Sequence, residues 1–356
     1  MIDTIKSNVS RILFGSKSYS HIQKWLHEKQ PTTIFILVDA HTQRYCLPRF
    51  IEENKDFQSA EIIVMNAGES FKNIETCTHI WKTLSEKGAD RRSLLINLGG
   101  GVVTDLGGFV ACTFKRGIDF INIPTTLLAM VDASVGGKTG VDFENLKNQI
   151  GIIQEPKYVL IDSQWLDTLA VREIKSGFAE MLKHGLIADP AHWQKLSAIS
   201  IDEEKNNIDF IHHSVSIKNS IVLKDPFEEN IRKYLNFGHT LGHAIESFFL
   251  SSPQKAPLLH GEAIAIGMIL EAYLSNVYCG LPMREVHSIK EVLAKTFAKV
   301  TFSIKDITGV LDFLKHDKKN KGGQINYVLL EAIGKPRIDV KVAEEHCHQA
   351  FEYYNK

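Results

Sequence analysis

The sequence predicts an α/β chain in which a parallel, helix-covered sheet precedes a mainly α-helical second part, and three observations carry that prediction. Short β-rich runs alternate with helix-like segments up to about residue 165. Beyond it, long stretches carry apolar residues at three- and four-residue spacing. Within the first part, a strand-like run enters three consecutive glycines, Gly99-Gly100-Gly101, as strands do where an open sheet meets a ligand.

The predicted strands are 33–39, 61–65, 93–98, 118–124 and 157–162, each rich in Ile, Val, Leu or Phe and bounded by polar or glycine-bearing segments. The predicted helices of the second part are 170–188, 208–223, 228–250 and 261–279, with one further strand at 324–330. A chain of 356 residues exceeds one ordinary core. We place the domain boundary near 165–170, giving an α/β domain over 1–167 and a helical domain over 168–356. Lys and Arg number 41 against 42 Asp and Glu, so no global field draws the chain to nucleic acid or to an anionic membrane. The five cysteines are scattered without a CxxC pair, which fits a reducing compartment better than a disulfide framework. With no apolar leader and no 18-residue apolar span, we expect a soluble cytoplasmic protein.

Four stretches carry candidate chemistry. The turn Leu98-Gly99-Gly100-Gly101-Val102-Val103-Thr104-Asp105 can bring bare backbone and a helix N-terminus to a pyrophosphate, although Thr104 stands where the usual fingerprint has its third glycine. Gly68-Glu69-Ser70-Phe71-Lys72 follows the preceding strand and offers a carboxylate for ribose or a lysine for phosphate. The run 124–142 gathers Thr125, Thr126, Asp132 and Lys138 in a long polar loop; its Gly136-Gly137-Lys138-Thr139 is no P-loop, because that motif needs glycine where Asp132 stands. Finally, His239 and His243 lie four residues apart on one predicted helix face, and His260 opens the next helix after a polar break at 251–257. That spacing suits metal ligands, and equally suits capping or core histidines.

Together with Gly177-Phe178-Ala179-Glu180-Met181-Leu182-Lys183 and His260-Gly261-Glu262, these motifs closely resemble the 3-dehydroquinate synthase family, in order, over about residues 34–335. The resemblance implies a Rossmann-like NAD-binding domain, a helical second domain, an active site in the cleft between them, NAD and one divalent zinc or cobalt ion as cofactors, and a homodimer. It implies Glu180, His239 and His260 as metal ligands, whereas spacing alone favours His239 with His243, and Glu180 with His184 at i+4 fits as well on paper. Asp132, Lys138, Lys183 and His243 would serve catalysis. Arg116, Asn148, Lys218, Arg232, Asn236 and Lys318 of the Lys318-Lys319 pair would bind the anionic sugar phosphate. Asp39, Glu69, Lys72, Gly100, Gly101, Val102, Asp105, Thr125, Thr126, Lys138, Lys147 and the 165–168 turn with Trp165 and Thr168 would hold NAD.

The implied reaction converts 3-deoxy-D-arabino-heptulosonate 7-phosphate to 3-dehydroquinate and phosphate in the shikimate pathway: hydride leaves C5, phosphate is eliminated, hydride returns, and the opened chain closes as an aldol. A metal-dependent NAD alcohol or glycerol dehydrogenase shares this plan but needs fewer cations for phosphate and carboxylate. Related sugar phosphate cyclases differ in the carboxylate-binding part, where Lys218, Arg232 and Asn148 follow the dehydroquinate synthase pattern. The departure from the family is the extended segment between His243 and His260.

Overall fold

The computed structural model describes residues 3–144, 146–315 and 325–356. The chain forms two compact units, Met1–Ile174 with Glu204–Asn219, and Lys175–Glu203 with Ser220–Lys356.

The first unit is built on strands β1 (Ile5–Lys6), β2 (Arg11–Phe14), β3 (Ile34–Asp39), β4 (Glu61–Met65), β5 (Leu94–Gly99), β6 (Asp119–Pro124) and, after the hairpin β7 (Lys138–Phe143) and β8 (Leu146–Ile153), β9 (Tyr158–Ile161). The seven-stranded sheet has the order β1-β2-β9-β6-β5-β3-β4, parallel throughout except for β1 on β2. All five strands expected in this part are present. Their continuous apolar runs follow from burial on both faces, as in Leu94–Gly99, where every residue is buried. Strand β2 is additional: its four residues, RILF, are too short a run to read as a strand until β9 pairs with them.

Helix Gly101–Thr113 packs on this sheet unusually closely. A Cβ on Gly107 would stand 2.0 Å from Asn97 Oδ1, and one on Gly108 would stand 2.5 Å from Thr139 Cγ2 on β7. The close-packing role that the fingerprint gives to its third glycine is therefore filled one turn later. Thr104 itself is buried and donates its hydroxyl to the carbonyl of Gly101. The polar run 124–142, expected as one long loop, contains a π-helical turn at Ala129–Ala133 and then β7. Lys138 opens a strand, not a helix, which separates this stretch from a P-loop in structure as well as in sequence.

The second unit is mainly helical, with helices Pro190–Ala198, His239–Ser251, His260–Cys279, Met283–Thr296, Ile304–Lys315 and Glu344–Asn355. It also carries the antiparallel hairpin β10 (Asn326–Ala332) and β11 (Lys335–Lys341). Strand β11 alternates exposed and half-buried residues and lacks the apolar run that marks β10 in the sequence. Helices Val171–Ala188, Ile208–Lys224 and His260–Cys279 follow their predicted spans closely. The predicted helix 228–250 does not run through. It is a 3-10 segment, Ile231–Asn236, and then a separate helix, His239–Ser251, broken at Gly238 with φ 79°. The apolar period continues across the break, but the left-handed glycine turns the chain, so that a motif histidine begins a helix instead of lying within one. The looped segment expected at 251–257 falls between the last residue of that helix and the next.

Candidate active site

In the first unit the glycine turn lies as a ligand cradle should. Strand β5 ends at Gly99, Gly100 precedes helix Gly101–Thr113, and no side chain stands on the helix's first turn before Val102. Added Cβ atoms would meet Val103 Cβ at 2.5 Å from Gly99, Thr126 Cγ2 at 3.0 Å from Gly100 and Ala133 Cβ at 3.3 Å from Gly101. Thr125 donates its amide to the carbonyl of Gly99, and Thr126 Oγ1 accepts the amide of Ala129. Bare backbone, helix N-terminal amides and two threonines at the strand ends suit a pyrophosphate.

Beside this turn a polar network is closed around Lys72. Its ammonium donates to Asp105 Oδ2 at 2.6 Å and to Asn148 Oδ1 at 2.7 Å. Asn148, in a left-handed conformation at φ 52°, donates its amide to Asp142, whose own amide bonds the carbonyl of Lys72. Lys147 pairs with Glu69 at 3.5 Å. Burial opposes charge on Lys72, but the carboxylates of Asp105 and Glu69 outweigh it and hold the ammonium above its ordinary pKa. Asn148 thus shares a partner with residues assigned to the cofactor, and Asp142 joins them without having been singled out.

The remaining residues of this unit are dispersed among different elements. Asp39 ends β3 and caps helix Ala40–Tyr45 in a capping box with Thr42. Trp165 is fully buried in the 3-10 segment Ser163–Thr168, with the Arg49 guanidinium 5.9 Å from its ring centroid, and Thr168 donates to its carbonyl. Asp132, in the π-helical turn, accepts the Lys218 ammonium at 2.5 Å. Arg116, at φ 70° and exposed, lines an open groove with Asp90, Arg91, Arg92 and Lys115.

In the second unit three helices meet. Gly261 donates its amide to Ser176 Oγ at 2.9 Å, and a Cβ at Gly261 would stand 2.0 Å from the carbonyl of Ser176. Ser176 lies one turn before Glu180, so this docking sets His260 against Glu180. Helix His239–Ser251 and helix His260–Cys279 approach as closely, a Cβ on Gly267 meeting the Gly238 carbonyl at 2.0 Å. Glu180 is completely buried, with His239 Nε2 at 3.5 Å and His260 Nε2 at 3.8 Å from its Oε1; its Oε2 pairs with Lys183, itself 1 % exposed.

The other ring nitrogens are engaged elsewhere. His239 Nδ1 lies 3.2 Å from the Phe237 carbonyl, which can only accept, and His260 Nδ1 lies 3.2 Å from Glu246 Oε2. Each imidazole so held, when neutral, turns its Nε2 lone pair toward a buried carboxylate oxygen. That arrangement repels unless a cation, a proton or a metal ion, stands between them. Burial disfavours the proton on His260, but Glu246 and Glu180 more than offset it and raise the pKa to about 9. His243 completes the group: the ligand atoms of His239, His243 and His260 lie within 4.8 Å of one another. His184 is fully buried on the Glu180 helix. One carboxylate and two imidazoles fit a divalent ion with open positions.

Arg232 is also buried, donating to the Pro226 carbonyl at 2.5 Å, while Asn236 donates to Glu228 at 2.6 Å. Asp225 organises this loop by accepting the amides of Glu229, Asn230 and Arg232. Lys318 and Lys319 lie outside the described residues. Sequence reading passed over Glu246, although it stands three residues after His243 among mainly apolar neighbours. A carboxylate there is a signal of a buried partner.

The described residues thus give a sheet unit with a glycine cradle and a helical unit with a carboxylate–imidazole centre. The solved 2-deoxy-scyllo-inosose synthase, complexed with carbaglucose-6-phosphate, NAD+ and Co2+, superposes with TM-score 0.84 at 24% identity, covering 99% of both chains. The 2-epi-5-epi-valiolone synthase of Streptomyces hygroscopicus, with NAD+ and Zn2+ bound, gives 0.85 at 23%, again over 99% of both. Residues 62–176 match the family described as 3-dehydroquinate synthase N-terminal, and residues 177–320 its C-terminal counterpart. The 3-dehydroquinate synthase of Parabacteroides distasonis is 43% identical over 95% of each chain, and that of Streptococcus thermophilus 36% identical over 94% of this chain and 95% of the relative. The chain belongs to the 3-dehydroquinate synthase family.

Proposed function

We propose that the chain is an NAD- and metal-dependent lyase that converts 3-deoxy-D-arabino-heptulosonate 7-phosphate to 3-dehydroquinate and phosphate, a step of aromatic amino acid biosynthesis. The observation that carries this reading is the pair of imidazoles, His239 and His260, each with Nδ1 engaged and Nε2 turned on the buried Glu180. NAD would supply a hydride acceptor that also returns the hydride, and a zinc or cobalt ion a Lewis acid for the substrate's vicinal hydroxyls.

The residues divide the remaining work. Glu180, His239 and His260 hold the ion, and His243, whose ring packs against those of His239 and His260, moves protons at the substrate hydroxyl. Lys183 sets a positive charge against Glu180. Arg232, Asn236 and Lys218 bind the phosphate and carboxylate, arginine by its planar fork, with Arg116, Asn148 and Lys318 as further contacts. Asp132, paired with Lys218, and Lys138 position the reacting groups. Gly100, Gly101, Val102, Thr125 and Thr126 cradle the pyrophosphate. Asp39, Glu69, Lys72, Asp105, Lys147, Trp165 and Thr168 complete an NAD-binding domain over 1–167, ahead of a metal- and substrate-binding domain over 168–356. Holding the opened intermediate in one conformer lets the aldol closure proceed as an intramolecular step.

Among the described residues no helix is long and apolar enough to cross a membrane, and all five cysteines are free. We place the enzyme in the cytoplasm as a homodimer. Incubating the purified protein with NAD, Co2+ and the heptulosonate phosphate should release phosphate and form dehydroquinate, both suppressed by a chelator. Failure to release phosphate would remove the proposal.

A further inference from the structure

Helix His239–Ser251 starts at a proposed metal ligand, yet its N-cap residue, Gly238, supplies no side-chain cap. Four amides of a helix's first turn have no partner within the helix and need an acceptor. Position 238 cannot provide one. Gly238 is left-handed at φ 79°, and a Cβ there would stand 2.5 Å from Met268 Cγ and 3.2 Å from the Ile264 carbonyl. A serine or aspartate cap would have to displace the facing helix.

The acceptor comes from that facing helix. Glu271, completely buried on His260–Cys279, takes the amide of Gly238 at 2.6 Å on one carboxylate oxygen and the amide of Leu241 at 3.1 Å on the other. A buried carboxylate is costly unless hydrogen bonds and opposite charge compensate it. Here two backbone donors and the positive end of the helix dipole do so. The amides it holds flank His239 on either side in the chain, and its own helix begins with His260. One side chain thus ties the first turn carrying one proposed ligand to the helix carrying another. The contact of Gly267 with the Gly238 carbonyl fixes the separation of the two helices, while Glu271 fixes how the first turn is rotated.

We infer that Glu271 is a positioning residue for the metal centre, setting the direction of His239 Nε2 relative to His260 without touching the ion. This rests on the reading of His239 and His260 as ligands. Glu271→Gln keeps the shape and one acceptor oxygen but turns an NH2 group toward one of the two amides, so the first turn loses one of its bonds. Groups that orient metal ligands typically change affinity by about 10- to 100-fold when replaced.

The comparison variant is Ser275→Ala. Ser275 lies one turn further along the same helix, buried, bridging the Glu271 carbonyl and the Leu330 amide, so its loss weakens the same helix without reaching the cap. Co2+ affinity of each folded variant is measured by competition with a chromogenic chelator, alongside the visible spectrum of the bound ion and NAD titration. Glu271→Gln should bind Co2+ roughly 10-fold or more weakly, with an altered spectrum and unchanged NAD affinity, and Ser275→Ala should bind Co2+ as wild type does. Glu271→Gln with wild-type Co2+ affinity, or Ser275→Ala weakened equally, would overturn the inference while His239→Ala, losing Co2+, upheld the ligand reading. His239→Ala that kept its Co2+ would remove both.

Discussion

The two units build their candidate sites by opposite means. In the sheet unit the cradle is local: strand β5, three glycines and the helix that follows lie consecutively, and backbone supplies most of the recognition. In the helical unit the centre is assembled from residues as distant as Glu180, His239 and His260, and side chains supply it. A local site depends on what a few residues allow the backbone to do. An assembled one depends on how closely helices approach, and here glycines at 261, 238 and 267 set that approach.

The comparison breaks first at the assembled centre. His239→Ala or His260→Ala should abolish activity and bound metal in a protein that still folds, since each removes one of three proposed ligands; metal analysis after dialysis against a chelator decides. Gly267→Ala should come next, because its Cβ would meet backbone, which cannot move aside as a flexible side chain can. We expect about 3 kcal/mol or more of lost stability, read by denaturant titration. An alanine variant of wild-type stability would show that the helix approach is not set there.

Smaller effects should sort by unit. Arg232→Ala removes charge-assisted hydrogen bonds worth about 1.5–3 kcal/mol, so a phosphonate analogue of the substrate should bind about ten- to a hundredfold more weakly with NAD affinity near normal. Asp105→Ala, which takes the ion-pair partner from Lys72 and leaves it Asn148, should do the reverse. Calorimetric titration of both variants with both ligands reads the split, and equal losses in each would erase the distinction between the units. Glu246→Gln should lower metal affinity by roughly tenfold, since the His260 ring would keep a neighbour but lose its charged acceptor.

Much of the sheet unit was legible because its signals are short-ranged. Five strands follow from apolar runs, and the cradle from glycines at a strand exit. Strand β2 and the β7–β8 hairpin escaped, the first because a four-residue run gains its identity from β9, the second because a polar, glycine-rich sequence conceals pairing between strands. In the helical unit apolar period gave the helices but ran straight through Gly238, where conformation and not hydrophobicity ends one segment and starts another. Spacing alone would pair His239 with His243. Glu180 enters through the docking of Gly261 on Ser176, a contact between segments 85 residues apart in the chain that no local pattern announces. The family motifs carried that information in its place.

The central claim is that hydride is borrowed and returned, and NAD stoichiometry tests it most directly. With NAD held well below the heptulosonate phosphate, metal present, and absorbance of NADH followed alongside released phosphate, many turnovers of phosphate should appear per NAD with no steady accumulation of NADH. NADH rising in step with substrate consumed, and ceasing when NAD is spent, would contradict the account and assign the chain to a dehydrogenase.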